Sequence, residues 1–349
     1  MTPIPAQAQS TVFVPCVGAN GGSAGLAQAI ITVQGGVTGT DSGLIELDEG
    51  CTYSFTDPFT PGGTNALPTI TGKIVIHGKK ATISRDANAS TTFRIAEVGE
   101  NASLTLIGVT IRGGAAFIDG VTLVGGGIIN RGTLSLKFSR ITHNSAQSEG
   151  GGIFGDRRSL TLLYRSAVTD NSVGFSRPSA TARGLTALRG EGEAASGGGI
   201  LVLGTLKAID SVFSGNSALT FGGAIRNDGV ASLTDSTVTN NQARSSGGGV
   251  SNAGTMEIKK GKIIRNRATS SGGGFADSTT SQTRIIDSLI TRNIAGERGG
   301  GIFSVRGDIS LLRTSVIKNT PNECVAPTPI PGCRTVLFPP RPGNPPASR

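Results

Sequence analysis

The chain has 349 residues, of which 53 are Gly and none Trp, and its aromatic content is only 4%. This excludes a compact core built on large rings, while 36% apolar residues exclude a disordered chain. A formal charge of +9 suits anionic partners such as acidic polysaccharide, teichoic-acid-like polymers or nucleic acid, although no block of five or six consecutive basic residues occurs and a basic surface kept for solubility is the plainer account.

The opening residues 1–8 end in Ala6-Gln7-Ala8, which reads as the remnant of a secretory signal with its cleavage site, so the mature chain is expected to begin near Gln9. Residues 9–42 then read as an N-terminal cap, because "SAGLAQAIITVQ" at 23–34 is the one helix-like pattern in the chain. The four Cys stand at the two extremities, Cys16 and Cys51, then Cys324 and Cys333, without the spacing of a zinc or redox site. Of the three possible pairings the local one, Cys16 with Cys51 and Cys324 with Cys333, fits an elongated secreted molecule whose ends lie far apart.

From residue 43 to 124 short alternating runs such as "ITGKIVIHGKKATISRD" predict three irregular β-coils. From 125 to 320 the pattern becomes regular: glycine clusters begin at Gly125, Gly150, Gly197, Gly222, Gly247, Gly272 and Gly299, with steps of 25, 47, 25, 25, 25 and 27 residues. Each opens the same phrase, Gly-Gly-(Gly/Ala), a short apolar run, then Ser/Thr-x-(Val/Ile/Phe)-x-x-Asn. The closing residues are Asn144, Asn171, Asn216, Asn241, Asn266, Asn293 and Asn319.

Period-two alternation in "TLSLKF", "SLTLLY" and "TMEIKK" excludes helical repeats, and the leucine-rich frame is missing. The prediction is an all-β, right-handed parallel β-helix of about ten coils at 43–320, with one coil per phrase. Coils stacked about 4.8 Å apart would bring each Asn against its equivalents as a buried ladder. Glycines would serve left-handed backbone and close coil approach. The column Ile141, Val168, Phe213, Val238, Ile263, Ile290 and Val316 would be core. Residues 321–335 read as a disulfide-stapled C-terminal cap and 336–349 as a Pro-rich tail.

The glycine-led phrase with its spaced Asn resembles the repeat of the polymorphic outer membrane protein family, within the pectin-lyase-like right-handed β-helix group. The resemblance covers residues 125–320 well and 43–124 loosely, and the whole arrangement is similar to secreted actinobacterial β-helix proteins. It implies a surface adhesin, although the membrane barrel that accompanies the family's repeats is not spelled in this chain.

For chemistry there are three candidates. Six residues before each Asn stands a charged column containing Asp210 and Asp235, which on adjacent coils could act as acid and nucleophile of a glycoside hydrolase, or belong to a polysaccharide lyase; the plainer alternative is a solvated ladder neutralised by Arg165, Lys260 and Arg313. The long step marks an insertion at about 172–196 carrying Arg177, Arg183 and Arg189, which reads equally as a binding loop or a floppy excursion, with a full irregular coil as a third alternative. Just before the ladder Asn stand His143, Arg265, Arg292 and Lys318, a basic stripe facing an anionic polysaccharide or cell-envelope polymer.

Specific nucleic-acid readout is disfavoured by the scarcity of aromatic platforms. No run of about eighteen apolar residues predicts a membrane span, and no cofactor or metal motif is present. Thr142, Thr169, Thr239 and Thr291 suggest an ice-binding row, but Ser214, Ile264 and Ile317 interrupt it. The leading expectation is therefore a secreted, non-enzymatic polymer-binding or adhesive rod, with an enzyme on acidic polysaccharide or a structural filament component as alternatives. Oligomeric state is not legible.

Overall fold

The computed structural model describes residues 10–36, 41–117, 124–174, 195–306 and 308–337. Strands from successive coils pair in parallel to form the four sheets of a right-handed solenoid, sheet I with eleven strands, sheets II and IV with ten each and sheet III with seven. Ten stacked strands enclose nine coil-to-coil steps, close to the number anticipated from the repeat.

The coil at 222–246 shows how the phrase becomes a turn of the solenoid. Gly222-Gly223-Ala224 leads into Ile225–Asn227, which joins sheet IV. After a Gly-containing turn, Val230–Thr234 forms the five-residue strand of sheet I. Asp235 turns the chain with a left-handed backbone (φ 50°), and Thr237–Thr239 enters sheet II. Asn240 (φ 55°) makes the second left-handed corner, Asn241 follows, and Gln242–Ala243 enters sheet III. Each strand lies in register with its equivalents 25 residues before and after.

The asparagines do form a continuous ladder. Asn241 donates from Nδ2 to Oδ1 of Asn266 (2.9 Å) and to the carbonyl oxygen of Phe213 (3.0 Å), and its backbone N–H donates to the same Oδ1 (3.0 Å). The same side-chain contact links Asn144 to Asn171, then to Asn216, Asn241, Asn266, Asn293 and Asn319 in turn. The ladder ends at Asn319, where the Glu323 carboxylate accepts both its Nδ2 (2.7 Å) and its backbone N–H (3.1 Å). All seven amides are buried, so each would carry a desolvation penalty of about 1–3 kcal/mol if left unpaired.

The Ser/Thr of the repeat has a parallel role at the other corner. Ser139, Ser166 and Ser211 each donate a backbone N–H to the hydroxyl of the next coil's Ser (3.1, 3.3 and 3.1 Å). The hydroxyls in turn donate to carbonyl oxygens two residues back, as Ser236 does to Thr234 (2.8 Å). Gly261 interrupts this second ladder on the acceptor side, yet still donates its own N–H to Ser288 (2.9 Å).

The interior is apolar. Ile141, Val168, Phe213, Val238, Ile263, Ile290 and Val316 are all buried, as the sequence column requires. Sheet III contributes only small inward side chains, chiefly Ala146, Ala218, Ala243 and Ala268, because it faces the glycine corner at close quarters. There the three glycines differ in what they do. The first takes φ between 60° and 71° in every regular coil. A Cβ on the second, as at Gly248, would overlap the carbonyl of Arg267 and lie 2.5 Å from the carbonyl oxygen of Gly273. A Cβ on the third, Gly249, would meet the Asn266 amide face at 3.0 Å and the Gly274 carbonyl oxygen at 2.6 Å. In one coil the third position is occupied by fully buried Ala224, which shows that it can accept a methyl group.

The helix forms over Gly22–Val33 and buries Leu26, Ala29, Ile30 and Val33, one face at helical spacing, against the first coil. Gly35 and Gly36, both with positive φ, end it. The cap also holds an element that the sequence reading left out: Ser10–Val14 pairs in parallel with Gly43–Leu47 and so covers the N-terminal edge of sheet I. Tyr53, fully buried, fastens it by donating its hydroxyl to the carbonyl oxygen of Val14 (2.6 Å). Both disulfides have the local pairing, Cys16–Cys51 and Cys324–Cys333. At the far end Cys324–Ala326 and Thr335–Leu337 continue sheet IV, so this cap is partly sheet.

The long step of the repeat adds no coil. Ile153–Gly155 pairs directly with Ile200–Val202, and Asn171 bonds Asn216 (3.0 Å), so the coils on either side of the long step are direct neighbours. Arg177, Arg183 and Arg189 lie outside the described residues.

Two consequences are measurable by denaturant unfolding. Gly248→Ala is expected to destabilise by about 3 kcal/mol or more, since backbone must move, whereas Gly249→Ala, with Ala224 as its natural precedent, should cost about 1–2 kcal/mol. Glu323→Ala should cost about 1–3 kcal/mol by stranding two donors of Asn319, and Glu323→Gln, which keeps an acceptor oxygen, less than half of that.

Candidate functional site

Both charged columns singled out in the sequence coincide with the left-handed corners. The first runs Phe138, Arg165, Asp210, Asp235, Lys260, Asp287 and Arg313, with φ between 46° and 52°. The second runs His143, Asp170, Gly215, Asn240, Arg265, Arg292 and Lys318, with φ between 54° and 67°. Corner N–H groups bond carbonyls at the corner of the next coil, as Asp210 does to Thr234 (3.0 Å) and Arg292 to Lys318 (3.2 Å), so each column is a true stack one coil apart.

The first column neutralises itself. Arg165 Nε donates to Asp210 Oδ2 at 3.0 Å, with both side chains more than half exposed. Arg313 grips Asp287 through both oxygens (2.5 and 3.0 Å) and holds that carboxyl below its usual range. Asp235 and Lys260 occupy neighbouring exposed corners. Asp210 and Asp235 thus sit at neighbouring turns as expected, but in the geometry of a solvated charge ladder, with no buried acid between them.

The second column differs. Arg265, Arg292 and Lys318 occupy three consecutive coils, all exposed, and no carboxylate among the described residues pairs with them. Lys262 and Arg267 flank Arg265 on the same coil and are likewise exposed, extending the positive strip across the corner between sheets II and III. His143 belongs to the same column but four coils away, where its ring nitrogen Nδ1 meets the Thr142 hydroxyl (2.8 Å). The Thr row is not a presenting surface: Thr142 and Thr169 are buried and bond each other (2.9 Å).

Two features were missed from sequence. Exposed Phe138 packs edge-on against Tyr164 (5.6 Å between centroids), and Arg165 lies over the Tyr164 ring (5.4 Å). The signal was available, since Phe138 is the one aromatic in a column otherwise charged. The second is Asp277, buried at the end of its sheet IV strand in register with Asn252 and Asn227. Burial pushes its carboxyl up to about 6, opposed by hydrogen bonds from Ser304, the Val305 N–H (3.1 Å) and Ser281.

Residues 210–228 match the family model of the Chlamydia polymorphic membrane protein repeat. The chain is a parallel β-solenoid carrying that repeat. The matched stretch runs from the corner residue Asp210 through the ladder residue Asn216 to the glycine corner and Asp228, so in this chain it contains one left-handed corner pair, one ladder rung and one glycine corner. No curated protein and no solved structure matches the chain. Among the described residues no helix is long and apolar enough to cross a membrane.

Asp277 gives a pH test. Its folded-state value lies above the unfolded one, so the folded form retains a proton that the unfolded form has lost. Its contribution is complete at pH below about 4 and lost as pH rises through about 6. Asp277→Asn, matching the Asn of the preceding coils, is expected to raise stability at pH 8 by up to about 3 kcal/mol and to leave it nearly unchanged at pH 4. Thermal melts at the two pH values check this.

Proposed function

We propose that this protein is an outer-surface, adhesin-like rod that binds an anionic cell-envelope polymer or polysaccharide along the edge formed by Arg265, Arg292 and Lys318. The observation that carries the reading is a conflict between local backbone preference and residue choice. A left-handed corner favours Gly, Asn or Asp, and costs other residues roughly 1–2 kcal/mol. Earlier coils of the same column obey that preference with Asp170, Gly215 and Asn240. The last three coils abandon it together, all in favour of cations, and leave those cations without partners among the described residues.

Such a departure gains the fold nothing, and local rules are characteristically broken at functional positions. In the other corner column cations also occur, but there Arg165 and Arg313 have carboxylates to hold, and Lys260 stands between Asp235 and Asp287 and joins Arg313 in lowering the latter's carboxyl by its charge. Spacing supports a polymer: cations recur at every coil, about 4.8 Å apart, along a rigid axis. The resemblance to surface adhesins and the matched repeat support an outer-surface location, and the two disulfides are compatible with an oxidising compartment.

The test replaces the three cations by the residue that the corner prefers. The variant Arg265→Asn/Arg292→Asn/Lys318→Asn should melt at or above the wild-type temperature, yet bind immobilised polygalacturonate or teichoic acid at least about tenfold more weakly at low salt. The difference should shrink as salt screens the edge. Undiminished binding by the variant would remove the proposal.

A further inference from the structure

The three irregular N-terminal coils hold a groove of about 860 Å³ on the outer face of sheet II, far along the axis from the basic edge. Its floor is two rows of hydroxyls set by strand register, Thr52 beside Thr82 and Ser54 beside Ser84. The next coil adds Arg112 in line with Ser84, and the one after places His143 at the groove's end.

One wall is the segment after Arg85, which is held rigidly. Arg85 donates to the carbonyl oxygens of Ala89 (2.8 Å) and Thr91 (2.7 and 2.9 Å) and lies over the Phe93 ring. The Thr92 hydroxyl bonds the carbonyl oxygen of Phe117, tying that wall to the opposite one. Asp86, in the same wall, accepts the N–H of Asn88 (2.8 Å) and the Ser54 hydroxyl (3.0 Å), which keep its carboxyl below the usual range.

The chemistry of this lining is specific. Closely set hydroxyls on stiff strands, with one carboxylate, match a ligand rich in hydroxyl groups. Arg85 is consumed by the wall, so Arg112 is the guanidinium left to meet an anionic group; it is exposed and pairs with no carboxylate among the described residues. Phe117 offers an apolar surface for the face of a sugar ring. A polyphosphate would call for several cations here, whereas one guanidinium and one imidazole suit a single carboxylate.

We propose that this groove binds an acidic sugar at the end of a glycan, its hydroxyls on the Thr52, Thr82 and Ser54 rows and on Asp86, and its carboxylate on Arg112 beside His143. The site is separate from the basic edge and does not depend on it.

Calorimetry on the full chain with 3′-sialyllactose, with a glucuronate-terminated disaccharide and with lactose tests this. At least one acidic probe should bind, lactose at least about tenfold more weakly, and Arg112→Gln should weaken the acidic probe by about tenfold while the melting temperature holds. Bound probe should protect backbone amides of residues 82–86 and 110–113 from hydrogen exchange. The triple Asn variant of the basic edge should bind the probe like wild type, which separates failure of this site from failure of that edge. Absence of binding by both acidic probes at millimolar concentration, equal binding of lactose, or an Arg112→Gln variant that binds as wild type would overturn the proposal.

Discussion

The structure depends on one requirement: a backbone N–H that follows a left-handed corner must find an acceptor one coil along the axis. In this solenoid that acceptor is a side chain of the residue in the same place on the next coil. At one corner it is the amide oxygen of Asn and at the other the hydroxyl of Ser. Because the donor and acceptor are equivalent residues of neighbouring coils, the demand propagates, and the regular coils repeat one phrase, with Gly261 the break in its Ser ladder. The apolar columns between the ladders then stack by default, since coils fixed at two corners have no freedom of register.

The same requirement divides the surface into constrained and free positions. The ladder residues point inward and admit no charge, whereas the corner residues immediately before them point to solvent and need only tolerate positive φ. Their identity is therefore where one coil can differ from another without harming the stack. In the first corner column the differences cancel, with Arg165 on Asp210 and Arg313 on Asp287. In the second they accumulate as Arg265, Arg292 and Lys318. A fold that fixes its interior so strictly leaves recognition to its corners and to the irregular coils, which here form the groove around Arg112.

What could be read from the sequence follows from this division. The glycine corner, the Asn rungs, the core column at Phe213 and its equivalents, the helix and the cysteine pairing were legible because a signal recurring once per coil is strengthened by each repetition. The Ser ladder was visible as a letter of the phrase, but its purpose was hidden, since Ser at a strand entry has many explanations. Strand Ser10–Val14 was missed because it occurs once, next to Pro15, and its pairing partner Gly43–Leu47 lies beyond the helix. The groove was illegible for a different reason: it is assembled from Thr52, Ser84, Arg112 and His143, of which only His143 stood out and then as part of the basic stripe, and only register brings them together. The charged corner columns were located correctly, but their left-handed backbone, which decides what a Lys or Arg there signifies, was not anticipated.

The ladder also has a direction, and this explains its ends. Each Asn donates toward the C-terminal neighbour and accepts from the N-terminal one, so the first rung is left with a free acceptor and the last with free donors. At the start, the Gly114 N–H fills the Oδ1 of Asn144 (2.9 Å). At the finish the need is for an acceptor alone, and a carboxylate, which has no donor to leave unpaired, suits it better than another amide. Glu323 is that residue. Interior rungs hold no carboxylate for the same reason: it has no N–H to give, so its oxygen would face the next rung's Oδ1, which would keep only the backbone N–H as donor. In the adjoining column Asn252 Nδ2 donates to the Thr283 hydroxyl (2.9 Å), as Asn130 does to Thr161 (3.0 Å), and burial drives the Asp277 carboxyl toward its protonated form. At the end of the Asn ladder a carboxylate is thus a terminator.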